Sequence, residues 1–278
     1  MNLGYNTNGL AHHDLFDAIE LLAEIGYRSV AITLDHGPLA PDNRDLPASL
    51  ARLRRALRVL GLRSVLETGG RFLLDPREKH EPTLVSPDPA ARARRIAFYQ
   101  HAIRCAAELE CDCVSIWSGR LRQGDPEVGM ERLAAGLEQV LDYAAARGVA
   151  IGFEPEPGML IDTLEGYERL RGRVGPRLRL TLDIGHLQCQ GELPLAATIA
   201  RAGPQLVNVH LEDMRRDTHE HLMFGEGEID FPEALAALAA TGYAGGVHVE
   251  LSRHSHEAPT AARRAFEFLR PLAPWNLP

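Results

Sequence analysis

Short apolar runs rich in β-forming residues alternate eight times with amphipathic stretches along this chain. In the amphipathic stretches, apolar residues recur at spacings of three and four, as on one face of an α-helix. Strand–helix alternation predicts parallel strands joined by right-handed crossovers. The runs expected to form strands cover residues 2–6, 29–34, 62–67, 113–117, 149–154, 178–183, 206–211 and 246–251.

Eight such units in 278 residues predict an α/β protein with one domain, a (β/α)8 or TIM barrel over residues 1–278. The alternative is a doubly wound open sheet, which usually carries a Gly-rich phosphate-binding turn after its first strand. Here the first strand leads into Asn6-Thr7-Asn8-Gly9-Leu10, which contains no GxGxxG motif. No linker or shift in composition predicts a second domain.

The charge and the cysteines restrict partners and location. A net charge of −8 without a basic tail disfavours nucleic acid and anionic membranes as partners. No run approaches the roughly 20 apolar residues of a membrane span, and Met1–Asn8 does not resemble a signal peptide. The four cysteines form neither a CxxC pair nor a disulfide framework, so we expect a cytoplasmic protein.

Lys79 is the single lysine of the chain, and it lies in a polar, proline-rich stretch. Enzymes that form a Schiff base need a buried lysine amine. Lysine-dependent aldolase chemistry is therefore not expected.

Strands five to eight are each expected to end in a residue that can bind a metal ion. Side chains alternate between the two faces of a strand, and the apolar alternates, Val207 and Val209 among them, are expected to face the helices. The strand-end residues then point into the barrel at its C-terminal mouth, where barrel enzymes place their sites. They are Glu154, Asp183, His210 and Glu250.

Four inward ionisable groups are costly to bury unless something compensates their charge. A divalent cation does so, and three carboxylates with one imidazole favour Mn²⁺, with Mg²⁺, Co²⁺ or Zn²⁺ as alternatives. We therefore expect one divalent metal per chain. Glu156 shares the parity of Glu154 and is the alternative ligand from the fifth strand.

Two connections, residues 68–87 and 212–229, are longer than a barrel needs, and long structureless loops are often functional. The first begins after Glu67 and carries cationic side chains, so it is either a lid or substrate clamp or an ordinary surface loop. Trp117, at the end of the fourth strand, is expected either to stack on a sugar or to pack. His248 is expected to support Glu250 or to lie in the core. The acidic run Gly225-Glu226-Gly227-Glu228 favours an unphosphorylated sugar, cyclitol or related polyol.

Five segments carry recognisable motifs: Glu154-Pro155, Asp183-Ile184-Gly185-His186, His210-Leu211-Glu212-Asp213, Gly225-Glu226-Gly227-Glu228-Ile229-Asp230 and Glu250. With them the chain resembles the xylose-isomerase-like TIM barrels, which include ketose 3-epimerases, inosose isomerases and dehydratases, and endonuclease IV. The resemblance implies that Glu154, Asp183, His210 and Glu250 bind the metal, and that the two glutamates also exchange the substrate proton.

The resemblance implies an isomerase or epimerase acting on a sugar or cyclitol α-hydroxy ketone through an enediolate, which a chelating metal stabilises. It also implies substrate contacts from His186 and Arg216, which stand at the family's offsets from Asp183 and His210. His221, Glu67, Trp117 and Glu156 are further candidate substrate contacts. Family epimerases carry a second glutamate after the fifth-strand ligand, and Glu156 comes earlier than that position.

Three alternatives remain open. The same groups can drive β-elimination, which would make the protein a lyase or dehydratase of a keto-cyclitol or keto-sugar. Asp217-Thr218-His219 resembles a motif of endonuclease IV, a three-metal phosphodiesterase, although the histidines that such a site takes from early strands are missing. A barrel that only binds a metabolite or a protein partner is the third. Dimers are common among relatives, so a homo-oligomer is an expectation by analogy.

Overall fold

A closed barrel of eight parallel strands forms the centre of the molecule, in the order β1-β10-β7-β6-β5-β4-β3-β2. The structure is a computed structural model that describes residues 1–276. The barrel strands are β1 (Asn2–Asn6), β2 (Ser29–Thr33), β3 (Arg63–Glu67), β4 (Val114–Trp117), β5 (Ile151–Glu154), β6 (Leu178–Asp183), β7 (Leu206–Leu211) and β10 (Gly246–Val249). The predicted TIM barrel is confirmed, and each predicted strand overlaps an observed one.

Helices surround the barrel and connect successive strands. Several begin at an aspartate or threonine whose side chain accepts a backbone N–H of the first turn, as Asp88 and Asp125 do. In the described residues the helices are α1 (Leu15–Ile25), α2 (Leu46–Leu60), α3 (Pro89–Leu109), α4 (Pro126–Ala145), α5 (Leu164–Val174), α6 (Ile184–Gln190), α7 (Leu195–Ala202), α8 (Phe231–Ala240) and α9 (Ala258–Leu269). None of these helices is both long and apolar enough to cross a membrane.

The second long connection, residues 212–229, was expected to be structureless, but it contains regular structure. It contains an antiparallel hairpin of β8 (Asp213–Arg215) and β9 (Thr218–Leu222). The buried Asp213 carboxylate accepts backbone N–H groups from Gly225, Gly227 and Ile229. A Cβ at position 227 would lie 2.3 Å from Asp213 Oδ1, so this glycine allows the close approach. One buried carboxylate thus fixes the connection against the end of β7.

The main core lies between the barrel and the helices, and a smaller apolar cluster fills the barrel interior. Phe153 faces outward as expected and stacks on Tyr167 of α5. The prediction that Val207 faces the helices is wrong. The register of β6 and β7 shifts by one residue between Leu180 and Thr181, and Val207 packs with the inner cluster. That cluster consists of Ala31, Val65, Cys113, Ala150 and Val207.

Candidate metal centre and active site

A cavity of about 520 Å³, here called the mouth cavity, opens at the C-terminal end of the barrel strands. Most of the residues predicted for the site line it together. Glu67, Trp117 and Glu156 lie along its walls. Five further predicted residues, from the later part of the chain, also line it, and these are Glu154, His186, His210, His221 and Glu250.

The four predicted metal ligands converge at one point in the wall of this cavity, which Glu154, His210 and Glu250 line directly. One donor atom from each of them lies within 4.8 Å of every other. His210 Nδ1 is 2.9 Å from Glu250 Oε2 and 3.1 Å from Glu154 Oε1. Asp183 Oδ2 is 3.9 Å from the same nitrogen. The set contains Glu154 rather than Glu156, so β5 contributes the residue expected first.

Glu67 determines which nitrogen of His210 faces this set. His210 Nε2 lies 2.9 Å from Glu67 Oε1, which also accepts a hydrogen bond from Asn208 Nδ2. A carboxylate can only accept, so the imidazole donates its Nε2–H to Glu67. The Nδ1 atom is then the one directed at the three carboxylates, as in the carboxylate–histidine–metal arrangements of known metal sites.

An unpaired oxygen supports a cation at this point. Asp183 Oδ2 is buried and has no hydrogen-bond partner within residues 1–276, whereas Oδ1 accepts the backbone N–H of His186. A buried carboxylate oxygen without a partner is costly. A divalent ion would satisfy it, and the donor set of three carboxylates and one imidazole fits such an ion.

The two glutamates of the set differ in electrostatics. Burial raises the pKa of Glu154 well above its usual range, and His210 opposes this only in part. Burial also acts to raise the pKa of Glu250, but the neighbouring His210, His221 and His186 outweigh it and hold that pKa below its usual range. Two carboxyl groups with separated pKa values, side by side, are typical of acid–base sites.

A cluster of three histidines, His186, His219 and His221, borders the four proposed metal ligands, which are here called the metal set. His186 Nε2 lies 3.1 Å from His219 Nε2, and the rings of His219 and His221 are 5.3 Å apart. Donor atoms of the three residues also lie within 4.8 Å of one another. His221 Nδ1 is held 3.0 Å from the backbone oxygen of Glu250. The three rings can therefore bind either polar groups of a substrate or a further cation.

Glu156 and Trp117 also line the mouth cavity. Burial, Glu250 and Asp183 raise the pKa of Glu156 to about 8, so this carboxyl retains a proton near neutral pH. The Trp117 indole is largely buried and meets His80 edge to face, with 5.5 Å between ring centroids. Glu156 offers a proton donor, and Trp117 an aromatic surface, to a bound molecule.

The connection after β3 is a wall fixed by Arg95 of α3. The fully buried guanidinium of Arg95 donates to the backbone oxygens of Thr68, His80 and Pro82. It also lies 5.4 Å from the centre of the Trp117 ring. These bonds anchor both ends of residues 68–82, and so place Arg71, Lys79 and His80 in the cavity lining.

Arg216 does not line the mouth cavity, and the substrate contact expected of it stays a prediction. Arg216 and Asp217 form the turn between β8 and β9, and Asp217 adopts a positive φ of 60°. The hairpin therefore directs the Arg216 side chain outward, where 62% of it is exposed beside Gly191.

Sequence reasoning missed Asn8, Asn208 and Glu212. Asn8 Nδ2 donates to Glu250 Oε1 at 2.7 Å across the closure of the barrel. Asn208 joins Glu67 to His248, whose Nδ1 lies 2.8 Å from Asn208 Oδ1. His248 therefore supports the site through other residues, and burial lowers its pKa to about 3. The parity that Asn208 shares with His210 is a signal that could have revealed it.

Glu212 is the least expected member of this group. It is fully buried, neither of its oxygens has a hydrogen-bond partner in the described chain, and burial beside Asp183 raises its pKa well above the usual range. A Cβ at Gly185 would lie 2.0 Å from Glu212 Oε1, so the glycine makes room for this carboxyl.

Known proteins with similar sequences include sugar enzymes. The chain is 26% identical to L-ribulose-5-phosphate 3-epimerase UlaE of Salmonella paratyphi C over 88% of this chain and 84% of that protein. It is 30% identical to the rhizopine catabolism protein MocC of Rhizobium meliloti over 55% of this chain, but spans only 52% of that protein. Inosose dehydratase of Lacticaseibacillus casei is 30% identical over 46% of this chain and 49% of its own length.

Solved structures share the fold. A D-allulose 3-epimerase from Methylomonas sp. in complex with D-allulose superposes with a TM-score of 0.77 at 20% identity, covering 98% of this chain and 97% of that one. An IOLI protein with a bound zinc atom gives a TM-score of 0.76 at 20% identity over 98% of both chains. The family model described as xylose isomerase-like TIM barrel matches residues 19–272. The chain therefore belongs to the xylose isomerase-like TIM barrel family.

Proposed function

We propose that this chain is a divalent-metal-dependent isomerase or epimerase of a sugar or cyclitol α-hydroxy ketone. The observation that carries the proposal is the convergence of Glu154, Asp183, His210 and Glu250 at one point in the wall of the mouth cavity. The names of two relatives, an L-ribulose-5-phosphate 3-epimerase and an inosose dehydratase, support the substrate class.

The same four residues would hold the metal. Their hard oxygen donors favour Mn²⁺, and the zinc atom in the IOLI structure supports a divalent ion in this fold. When bound, the cation would polarise the carbonyl and hydroxyl oxygens of an α-hydroxy ketone and so acidify the C–H beside the carbonyl.

Glu250 and Glu154 are suited to move the proton. Glu250 has the lowered pKa and is ionised, as a base that removes the proton must be. Glu154 is the second carboxyl at the same point and can return a proton to the enediolate of the substrate. If the proton returns to the opposite face of the same carbon, the product is an epimer. If it returns to the neighbouring carbon, the product is an isomer.

Metal content tests the first half of this proposal. We expect about one Mn, Co, Zn or Mg per chain by mass spectrometry of the purified protein, and its loss in His210→Ala. His254→Ala is the matched control, because His254 does not line the mouth cavity. Equal metal in all three proteins contradicts the assigned ligands. About three zinc ions per chain would favour the phosphodiesterase alternative, which cleavage of an abasic-site duplex would then test.

Proton exchange tests the second half. D-fructose, L-ribulose, L-ribulose 5-phosphate and scyllo-inosose are incubated with metal-loaded enzyme in D₂O, and NMR follows deuterium at the carbon beside the carbonyl. We expect exchange in at least one ketone and its near-complete loss in Glu250→Gln. Full exchange in that variant would remove Glu250 from the mechanism.

Dehydration is the second candidate function, and Glu156 favours it. Elimination of water needs an acid that protonates the departing hydroxyl, and Glu156 is a partly protonated carboxyl in the cavity wall. In the same panel, a loss of the mass of water with a new enone absorbance identifies a dehydratase. An unchanged mass with a changed configuration identifies an epimerase.

A further inference from the structure

A second cavity of about 410 Å³ adjoins the mouth cavity. It lies between the segment that links β1 to α1 and the segment that follows β2. No residue that lines it belongs to the metal set. Four residues line both cavities, which are therefore direct neighbours and are together called the cleft here, and these are Asn8, Ala11, Thr33 and Arg71.

The boundary between the two cavities lies beside the reacting groups. Asn8 donates from Nδ2 to Glu250 Oε1, while its Oδ1 is buried without a partner within residues 1–276. Arg71 crosses the boundary, because its guanidinium donates to the Asn8 backbone oxygen at 2.9 Å and lies 3.4 Å from Asp35 Oδ2. A molecule that occupies both cavities would therefore pass beside Asn8 and Arg71.

The lining of the second cavity suits a neutral, hydroxyl-bearing group. Asp35, His36 and Arg71 contribute polar atoms to it, and the side chains of Asp35 and Arg71 are partly exposed there. Asp14, Asp35 and Arg71 leave no excess of positive charge, so the cavity is not built for a phosphate. Apolar contacts for a ring come from Leu10, Ala18 and Leu39.

We propose that this cleft takes a two-unit substrate, in which the reacting α-hydroxy ketone lies over Glu250 and a second neutral sugar unit occupies the second cavity. The proposal rests on the proposed function for the placement of the reacting unit. The Asp35 carboxylate and the Arg71 guanidinium, both partly exposed in the lining, bind hydroxyl groups of the second unit. Ligand pockets in proteins are typically about 300–1,000 Å³, and the second cavity, at about 410 Å³, falls within this range.

Calorimetric binding to Mn²⁺-loaded protein tests the second cavity. The probes are D-fructose and three neutral disaccharides whose reducing unit is D-fructose, namely maltulose, lactulose and isomaltulose. Leu15→Trp is expected to narrow the second cavity without changing the mouth cavity, because Leu15 lines the second cavity and not the mouth cavity. Val59→Trp is the matched control, since Val59 is an exposed residue of α2 that lines neither cavity.

We expect at least one disaccharide to bind about tenfold more tightly than D-fructose. In Leu15→Trp this advantage is lost while D-fructose affinity is unchanged, and Val59→Trp alters neither. Disaccharides that bind no better than D-fructose overturn the proposal, as does an equal loss for both sugars in Leu15→Trp. Deuterium exchange separates the two proposals: exchange without a disaccharide advantage overturns only the second cavity, and a disaccharide advantage without exchange in any ketone overturns only the proposed reaction.

Discussion

The two nitrogens of His210 have separate roles that the sequence could not distinguish. Strand parity is a local property, and it correctly predicted that Glu154, Asp183, His210 and Glu250 converge. The partner of Nε2 is Glu67, which lies 143 positions away in sequence and which we expected only as a substrate contact. Such a pairing depends on how β3 and β7 face each other across the closed barrel, and no local pattern records it.

Replacement of Glu67 by glutamine should weaken metal binding. The glutamine side chain can present its amide hydrogens to His210 Nε2, so it no longer fixes the proton there. We expect metal affinity to fall about 10–100-fold, as for other groups that orient a ligating histidine. Competition titration with a chelating dye measures this. Glu156→Gln is the control, and a Glu67→Gln protein with unchanged affinity would show that Glu67 does not orient His210.

Metal binding should weaken as the pH falls. Burial acts to lower the pKa of His210, but Glu67, Glu154 and Glu250 more than offset this and raise it well above its usual value. A cation at Nδ1 must displace the proton held there, and protonation is favoured at low pH. The apparent affinity is therefore expected to fall steadily from about pH 8 to pH 5. Affinity that is constant over this range contradicts a metal bound through His210.

Helices and strands could be predicted where the apolar residues follow one clear periodicity. They could not be predicted where contacts between distant residues determine the local structure. The eight barrel strands follow their apolar runs closely. The β8–β9 hairpin was missed because its sequence is polar and its position depends on Asp213 accepting three distant N–H groups. Its turn also directs Arg216 into solvent, so an offset counted along the chain did not place that side chain. Val207 was misplaced for a related reason, because parity fails at an irregular register.

Arg95 gives a prediction for the segment 68–82. Arg95→Met keeps the length of the side chain but leaves the oxygens of Thr68, His80 and Pro82 without their donor. We expect a loss of unfolding free energy on the order of 3 kcal/mol, measured by urea denaturation, and faster amide exchange in this segment. Arg104→Met is the control, because Arg104 is an exposed residue of α3 that donates to Tyr143, outside this segment. Equal effects of the two variants would show that Arg95 does not anchor the segment.

The whole molecule should respond to metal, because its proposed ligands come from four different barrel strands. A ligand that binds only the folded state, at about 1,000 times its Kd, adds about 4 kcal/mol. For a domain of this size that raises Tm by roughly 10 °C. Calorimetry of metal-loaded and chelator-treated protein measures the shift, which His210→Ala should lack. The same shift in His210→Ala would place the stabilising ion elsewhere. The homo-oligomer and the cytoplasmic location stay predictions.

The four proposed ligands lie between positions 154 and 250, whereas the second cavity and the wall held by Arg95 come from the segments after β1, β2 and β3. The proposed metal ligands thus come from the second half of the chain, whereas the first half supplies the second cavity and one wall of the mouth cavity. Mutations, insertions or exchanges in the first half can alter which molecule is accepted while the second half is inherited intact, provided that Asn8 and Glu67 are kept. Related proteins can therefore differ in the substrate that they accept while they catalyse the same type of reaction.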